Sequence, residues 1–255
     1  MKLDINSDMG EGFGNYTVGD DDAILAAVTS ANVACGFHAG DASIMAHTVA
    51  GAKARGVGIG AHPGLPDLLG FGRRTMAVSN SDMRDMLIYQ IGALQGFAKV
   101  AGHRVTHVSY HAAFGNMAIA NRELADVMTQ AIVAVDPELI VFSMPDTAVE
   151  FSARETGLRT IQMFLADRAY RPDGSLVPRG QDGALIKDLA AVKARIGQFV
   201  RTGKVSTIDG QLIDMRAQSI LVHSDTPGAG RIAMAVREAI GEAGGQVAPA
   251  TEIAR

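Results

Sequence analysis

Residues 3–13 read LDINSDMGEGF, residues 31–41 read ANVACGFHAGD, and residues 60–74 read GAHPGLPDLLGFGRR. Each begins as a short apolar run and ends in glycines mixed with Asp, Glu, His or Arg. Glycine lets a chain turn sharply and bring its backbone close to a ligand. A strand that stops and at once presents carboxylate and imidazole groups builds a site. Three such loops in the first third of the chain predict one pocket at one end of a parallel sheet.

Working outward, the same alternation continues. Strands are expected over residues 2–7, 30–35, 57–61, 104–110, 139–143, 159–165 and 219–223, with helices between them. Asp41 is a good cap for a helix over 42–55, which Gly56 closes. Ser79 or Asn80 starts a long helix to Ala101, and one helix is expected over 116–135. Thr226 reads as the cap of the last helix, with Pro227 at its first position. Asp209-Gly210 marks a hairpin between residues 204 and 214. Seven strand–helix repeats with polar loops at the strand ends predict an α/β fold, a β/α barrel with its pocket on the C-terminal face. The competing open doubly wound sheet usually carries a phosphate-binding glycine loop. Residues 10–14, GEGFG, lack its spacing, and no Walker A motif is present. With no repeat, linker or low-complexity segment, residues 1–255 read as one domain.

Composition narrows the function. A net charge of -4 without a basic stripe argues against nucleic acid. No apolar run is long enough to span a bilayer, and residues 1–8, MKLDINSD, turn acidic too soon for a signal peptide, so a cytoplasmic location is expected. The single cysteine, Cys35, excludes an intramolecular disulfide and reads as a small core residue. Absence of Trp and an aromatic content of 5% disfavour an aromatic-lined carbohydrate cleft.

Asp8 and Glu11 share the first loop. They read as a carboxylate pair for metal binding or proton transfer, or as solvated turn residues. His38, His62, His111 and His223 all fall at expected strand ends, four of the 7 histidines. Their rings serve as general bases or neutral metal ligands, or pack loops against the barrel rim. His107 lies inside a strand and reads as a hydrogen-bonded core residue that shares the face of His111. Arg73, Arg74, Asp167 and Arg168 are candidate anchors for an anionic substrate, with Asp67 as a surface partner for one arginine. Asn6 and Asn116 are candidate donors to a substrate carbonyl. No G-x-S-x-G elbow is present.

The chain resembles the LamB/YcsF family along nearly its whole length. The resemblance rests on LDINSDMGEGFG, SANVACGFHAGD, GVGIGAHPGLPDLLGFGRR, YQIGALQGFAKVAG, ADRAYRPDGSLVPRGQDGALI and VHSDTPGA. It implies a seven-stranded β/α barrel of the glycoside hydrolase/deacetylase type. It also implies the activity of the family's characterised members, which are the A-type subunits of prokaryotic 5-oxoprolinase. These open the 5-oxoproline lactam to glutamate at the expense of ATP, together with B- and C-type subunits. ATP would then be handled by or with those partners, since this chain shows no nucleotide loop. Asp8, Glu11, His38, His62 and His111 are the expected catalytic residues, and His223 and Asp225 expected substrate contacts. The superfamily that the resemblance implies often binds a divalent metal through an Asp of the first strand and two His, for which Asp8, His38 and His62 are the matching positions here. Some positions depart from the family pattern. Where the family reads HVKPHGALYN, residues 107–116 read HVSYHAAFGN, so Ser109, Tyr110 and Gly115 replace Lys, Pro and Tyr. Met163 stands where a Glu is common, and Ser224 interrupts the usual H-G-D. Two other readings remain open: a metal-dependent amidohydrolase or deacetylase acting on another lactam or amide, and a scaffold without catalysis.

Overall fold

In the computed structural model, which describes residues 1–254, seven parallel strands close into a barrel. They are β1 (Lys2–Met9), β2 (Ser30–Ala34), β3 (Gly58–His62), β4 (Val105–Ser109), β5 (Ile140–Ser143), β6 (Thr160–Leu165) and β9 (Ser219–Leu221). Each pairs with the next, and β9 returns to β1 with Asp4 opposite Ser219. The α/β barrel expectation holds, and its closure leaves none of these strands as a free edge.

Helices α1 (Asp21–Leu25), α2 (Ala42–Ala54), α3 (Asn80–Ala101), α4 (Ala112–Ile119), α5 (Arg122–Val135), α6 (Ala148–Glu155), α7 (Leu189–Thr202) and α8 (Ala229–Glu242) surround it. Local signals set their ends. Asp41 accepts from the amides of Ser43 and Ile44 at 2.8 and 3.0 Å to start α2. Ser79 caps α3, and Gly102, at φ 65°, stops it. Along α3, Leu87, Ile91, Leu94 and Ala98 recur at helical spacing and are buried against the barrel. Each large aliphatic side chain there contributes about 1.5–3 kcal/mol.

Two expectations change. The helix expected over 116–135 is two helices, because Asn121 leaves the helical conformation and caps α5 by accepting from the Leu124 amide. The last helix begins later, after Gly228, and has no side-chain cap. Thr226 instead donates to Asp167 Oδ2 at 2.8 Å, so its hydroxyl serves the barrel mouth. The Asp209-Gly210 hairpin forms as expected, β7 (Lys204–Ser206) against β8 (Leu212–Asp214), outside the barrel. A short β10 (Gln246–Val247) pairs beside the start of β1, and α9 (Ala250–Ile253) follows it. Among the described residues, no helix is long and apolar enough to cross a membrane.

Candidate active site

Strand β1 alternates Asp4, Asn6 and Asp8 on its inner face, and all three are buried. A hydrogen-bonded column links them. Ser219 Oγ donates to Asp4 Oδ2 and accepts from Asn6 Nδ2 at 2.7 Å. Asn32 Nδ2 bridges Asn6 Oδ1 at 2.8 Å and Asp8 Oδ1 at 2.9 Å. His107 Nε2 donates to Asn32 Oδ1 at 2.9 Å. Burial pushes the His107 pKa down to about 3, so the ring is a neutral core member, as its position inside β4 led us to expect. Asn6 therefore lies beneath the cavity and orients Asp8 through Asn32.

Above Asp8, the three loops converge. Glu11, His38, His62 and His111 present ligand atoms within 4.8 Å of one another, and all four are buried. Glu11 Oε1 lies 3.2 Å from His38 Nε2, 3.4 Å from His111 Nδ1 and 3.9 Å from His62 Nε2. Asp8 Oδ1 lies 3.4 Å from His62 Nε2. The rings of His38 and His111 stack at 3.8 Å, nearly parallel.

The protonation pattern of this cluster follows from its outer contacts. His62 Nδ1 meets the Ser109 carbonyl at 2.7 Å, and His111 Nε2 meets the Phe71 carbonyl at 2.8 Å. A carbonyl only accepts, so both nitrogens carry protons. In the neutral rings, His62 Nε2 and His111 Nδ1 are then bare acceptors, yet they face each other at 2.9 Å. Two lone pairs at that distance need a proton or a cation between them. Backbone carbonyls that fix the tautomer of a ligating imidazole are the usual outer support of metal sites. The donor set of three imidazoles and a carboxylate suits zinc or another first-row divalent ion. Asp8 borders this set rather than belonging to the tightest group.

Burial, then the Asp8 charge, raises Glu11 to about 8. Burial resists ionisation of Asp8, but His62 and His223 hold its pKa below the usual range. Burial, followed by His38 and His62, lowers His111 to about 2, and burial pushes His38 well down. Across the mouth, His223 Nδ1 contacts Asp167 at 2.9 and 3.1 Å. Burial opposes the imidazolium, but Asp167 outweighs it and raises the His223 pKa. Asp167 is itself held low by His223 against burial.

The cluster opens into a cavity of about 500 Å³. Asp8, His62, His111, Asn116, Arg168 and His223 line it, together with Arg73. Arg73 and Arg179 both pair with Asp225, leaving one excess positive charge at the rim. Arg168 is buried, and its Nη2 donates to the Val177 carbonyl at 2.6 Å. Arg74 pairs with Asp67 outside the cavity, with 65% of its side chain exposed. Asp167 sits behind His223 and is fully buried. Cys35 is a buried thiol whose pKa burial raises to about 12, which leaves it inert.

Arg179 is an addition to the expected set, although it lies inside the 166–186 motif. Ser224 is another, through its hydroxyl, which donates to Glu11 Oε2 at 3.0 Å. The departures at Ser109, Tyr110, Gly115 and Met163 all face the cavity. Two residues of strained backbone flank the cluster, Phe71 at φ 53° and Ala112 at φ 35°.

Comparison with known proteins gives the family of the chain. The model of the LamB/YcsF family matches residues 3–255. The chain is 57% identical to the A-type subunit of 5-oxoprolinase from Pectobacterium atrosepticum over 253 residues, covering 99% of this chain and 98% of that one. It is 53% identical to the first of the 5-oxoprolinase A-type subunits of Bradyrhizobium diazoefficiens over 251 residues, 98% of each chain. The crystal structure of the lactam utilization protein from Thermus thermophilus superposes with a TM-score of 0.91 at 42% identity, covering 97% of this chain and 99% of that one. The chain belongs to the LamB/YcsF family.

Proposed function

We propose that this chain is the lactam-opening component of an ATP-dependent 5-oxoprolinase, working with B- and C-type partners that handle ATP. The observation that carries the reading is the pair of facing acceptors, His62 Nε2 and His111 Nδ1, backed by Glu11 and Asp8. Relatives named as A-type subunits of 5-oxoprolinase support the substrate.

The lactam amide is resonance-stabilised, so water must be activated and the ring nitrogen protonated as the bond breaks. A divalent ion on Glu11, His38, His62 and His111 would polarise the carbonyl and acidify water. Asp8, held ionised and anchored by Asn32, accepts the proton of the attacking water. His223, held cationic by Asp167, delivers a proton to the departing nitrogen. Arg73 and Arg179 receive the substrate carboxylate, displacing part of their pairing with Asp225. Asn116 is placed to donate to the substrate.

Reconstitution tests this. The chain assembled with B- and C-type subunits should form glutamate from 5-oxoproline and ATP. His62→Ala should lower kcat by at least about a hundredfold and cut bound divalent ion, read by elemental analysis. An assembled complex that hydrolyses ATP but yields no glutamate would sink the proposal.

A further inference from the structure

Ser224 follows His223 just past the end of β9, and no step of the proposed lactam opening uses it. The residue is buried, and its Oγ donates to Glu11 Oε2 at 3.0 Å. The loop that carries it has little freedom. His223 is tied to Asp167 on one side of it, and Asp225 to Arg73 and Arg179 on the other. Gly19 presses on its backbone, since a Cβ there would lie 2.9 Å from the Ser224 carbonyl oxygen and 3.2 Å from Ser224 Cβ. The hydroxyl is therefore a fixed donor.

Its target has two unlike oxygens. The contacts of Glu11 with His38, His62 and His111 all run through Oε1, at 3.2, 3.9 and 3.4 Å. Among the described residues, the one hydrogen bond to Oε2 comes from Ser224. A bound cation displaces the carboxyl proton, and both oxygens then only accept. A carboxylate can close on an ion with one oxygen or with both. Three imidazoles and one carboxylate oxygen make four ligand atoms, and zinc-like ions reach five when a further oxygen joins. A second Glu11 oxygen would fill that fifth position.

We infer that Ser224 is a positioning residue that holds Oε2 off the ion, keeps Glu11 a one-oxygen ligand, and so leaves one coordination position to an incoming oxygen. This deepens the proposed function and rests on its placement of a divalent ion on Glu11, His38, His62 and His111.

Cobalt(II) added to the metal-stripped chain tests it, because the visible bands of the ion report the number and kind of its ligands. Azide then probes the open position, read from those bands alone so that azide at the rim arginines stays silent. In Ser224→Ala the Oε2 atom is released to the ion. Cobalt affinity is expected to hold or rise, while the azide dissociation constant rises about tenfold. Ser224→Gly, which also lacks the donor, should match it. A merely structural serine predicts the reverse, weaker cobalt binding with an unchanged azide constant in the loaded protein. An azide constant that stays within about twofold in both variants overturns the inference, and so does a fall in cobalt affinity of about tenfold or more. If the unaltered chain takes up no cobalt, the placement of the ion has itself failed, and the inference falls with it.

Discussion

At the scale of single residues, the site is a problem of where protons sit. Glu11 is ordinarily ionised above pH 4.5, but burial and the neighbouring Asp8 raise it to about 8. The folded chain therefore holds a proton between those values that the unfolded chain has lost, so stability falls as pH rises through that window. Buried His38 and His111 have depressed pKa values, so they act in the opposite sense, but only as pH falls below their ordinary value of 6.5. Melting of the protein in chelator should thus show stability falling from about pH 6.5 to 8.5. Glu11→Gln should flatten that decline. A residual slope of the same sign belongs to His223, whose raised pKa adds stability that is lost as pH rises. A second prediction concerns that ring. Asp167 is what keeps His223 charged against its burial. In Asp167→Asn the imidazolium should lose its proton at lower pH, moving the alkaline limb of kcat/KM down by about 1 unit or more. A pH–rate profile of the reconstituted complex reads it, and an unmoved limb removes His223 as the acid.

At the scale of elements, the loops after β1, β2 and β3 do the assembling, and tight packing leaves them little latitude. Gly72, at φ 63°, packs against both stacked histidines: a Cβ there would lie 2.6 Å from His38 Cβ and 2.8 Å from His111 Cδ2. Gly72→Ala meets both left-handed strain and collision. It should cost about 1–3 kcal/mol in denaturant unfolding and lower divalent-ion affinity more than tenfold in calorimetry. The glycine-and-charge loops are also what makes the site readable from the sequence, because strand ends that expose Asp, Glu and His are chemically conspicuous. Helix boundaries are legible where a side chain closes on its own amides, as Asp41 does. They are not where the same residue type has a distant partner. Thr226 has the composition of a cap but is taken by Asp167, 59 positions earlier. The break between α4 and α5 is hidden because Asn121 sits in an otherwise continuous helical pattern and acts through a single bond to the Leu124 amide. Asn6 looks like a substrate donor in the sequence because its partners, Asn32 and Ser219, come from strands 26 and 213 positions away.

At the scale of the whole molecule, the barrel interior is divided. Its β1 side carries the polar column from Asp4 to Asp8, while its β4–β6 side supplies apolar walls to the cavity. Catalytic polarity is thus continuous with structural polarity, and the column ties the floor of the barrel to the residue that faces the substrate. Its lower end also closes the barrel. Asp4 accepts from Thr29 and Ser30, both at 2.6 Å, and from Ser219, which joins β1, β2 and β9 at their N-terminal ends. Removing that carboxylate leaves the buried Ser30 and Ser219 hydroxyls without an acceptor, while half-buried Thr29 keeps the Ile5 carbonyl at 3.3 Å. Asp4→Ala should therefore cost about 3 kcal/mol or more, measured by denaturant unfolding, and Asp4→Asn, which restores one acceptor, should cost less. The same change should reach the mouth. With Ser219 free to turn, Asn6 and then Asn32 lose their fixed orientation, and Asp8 loses the amide donor that holds it. At a temperature where Asp4→Asn remains folded, kcat of the reconstituted complex should fall while KM for 5-oxoproline stays nearly constant, because Arg73 and Arg179 stand on the far rim. A loss confined to stability, with kcat intact, would show that the column is a structural strut alone and that Asp8 is oriented by its own loop.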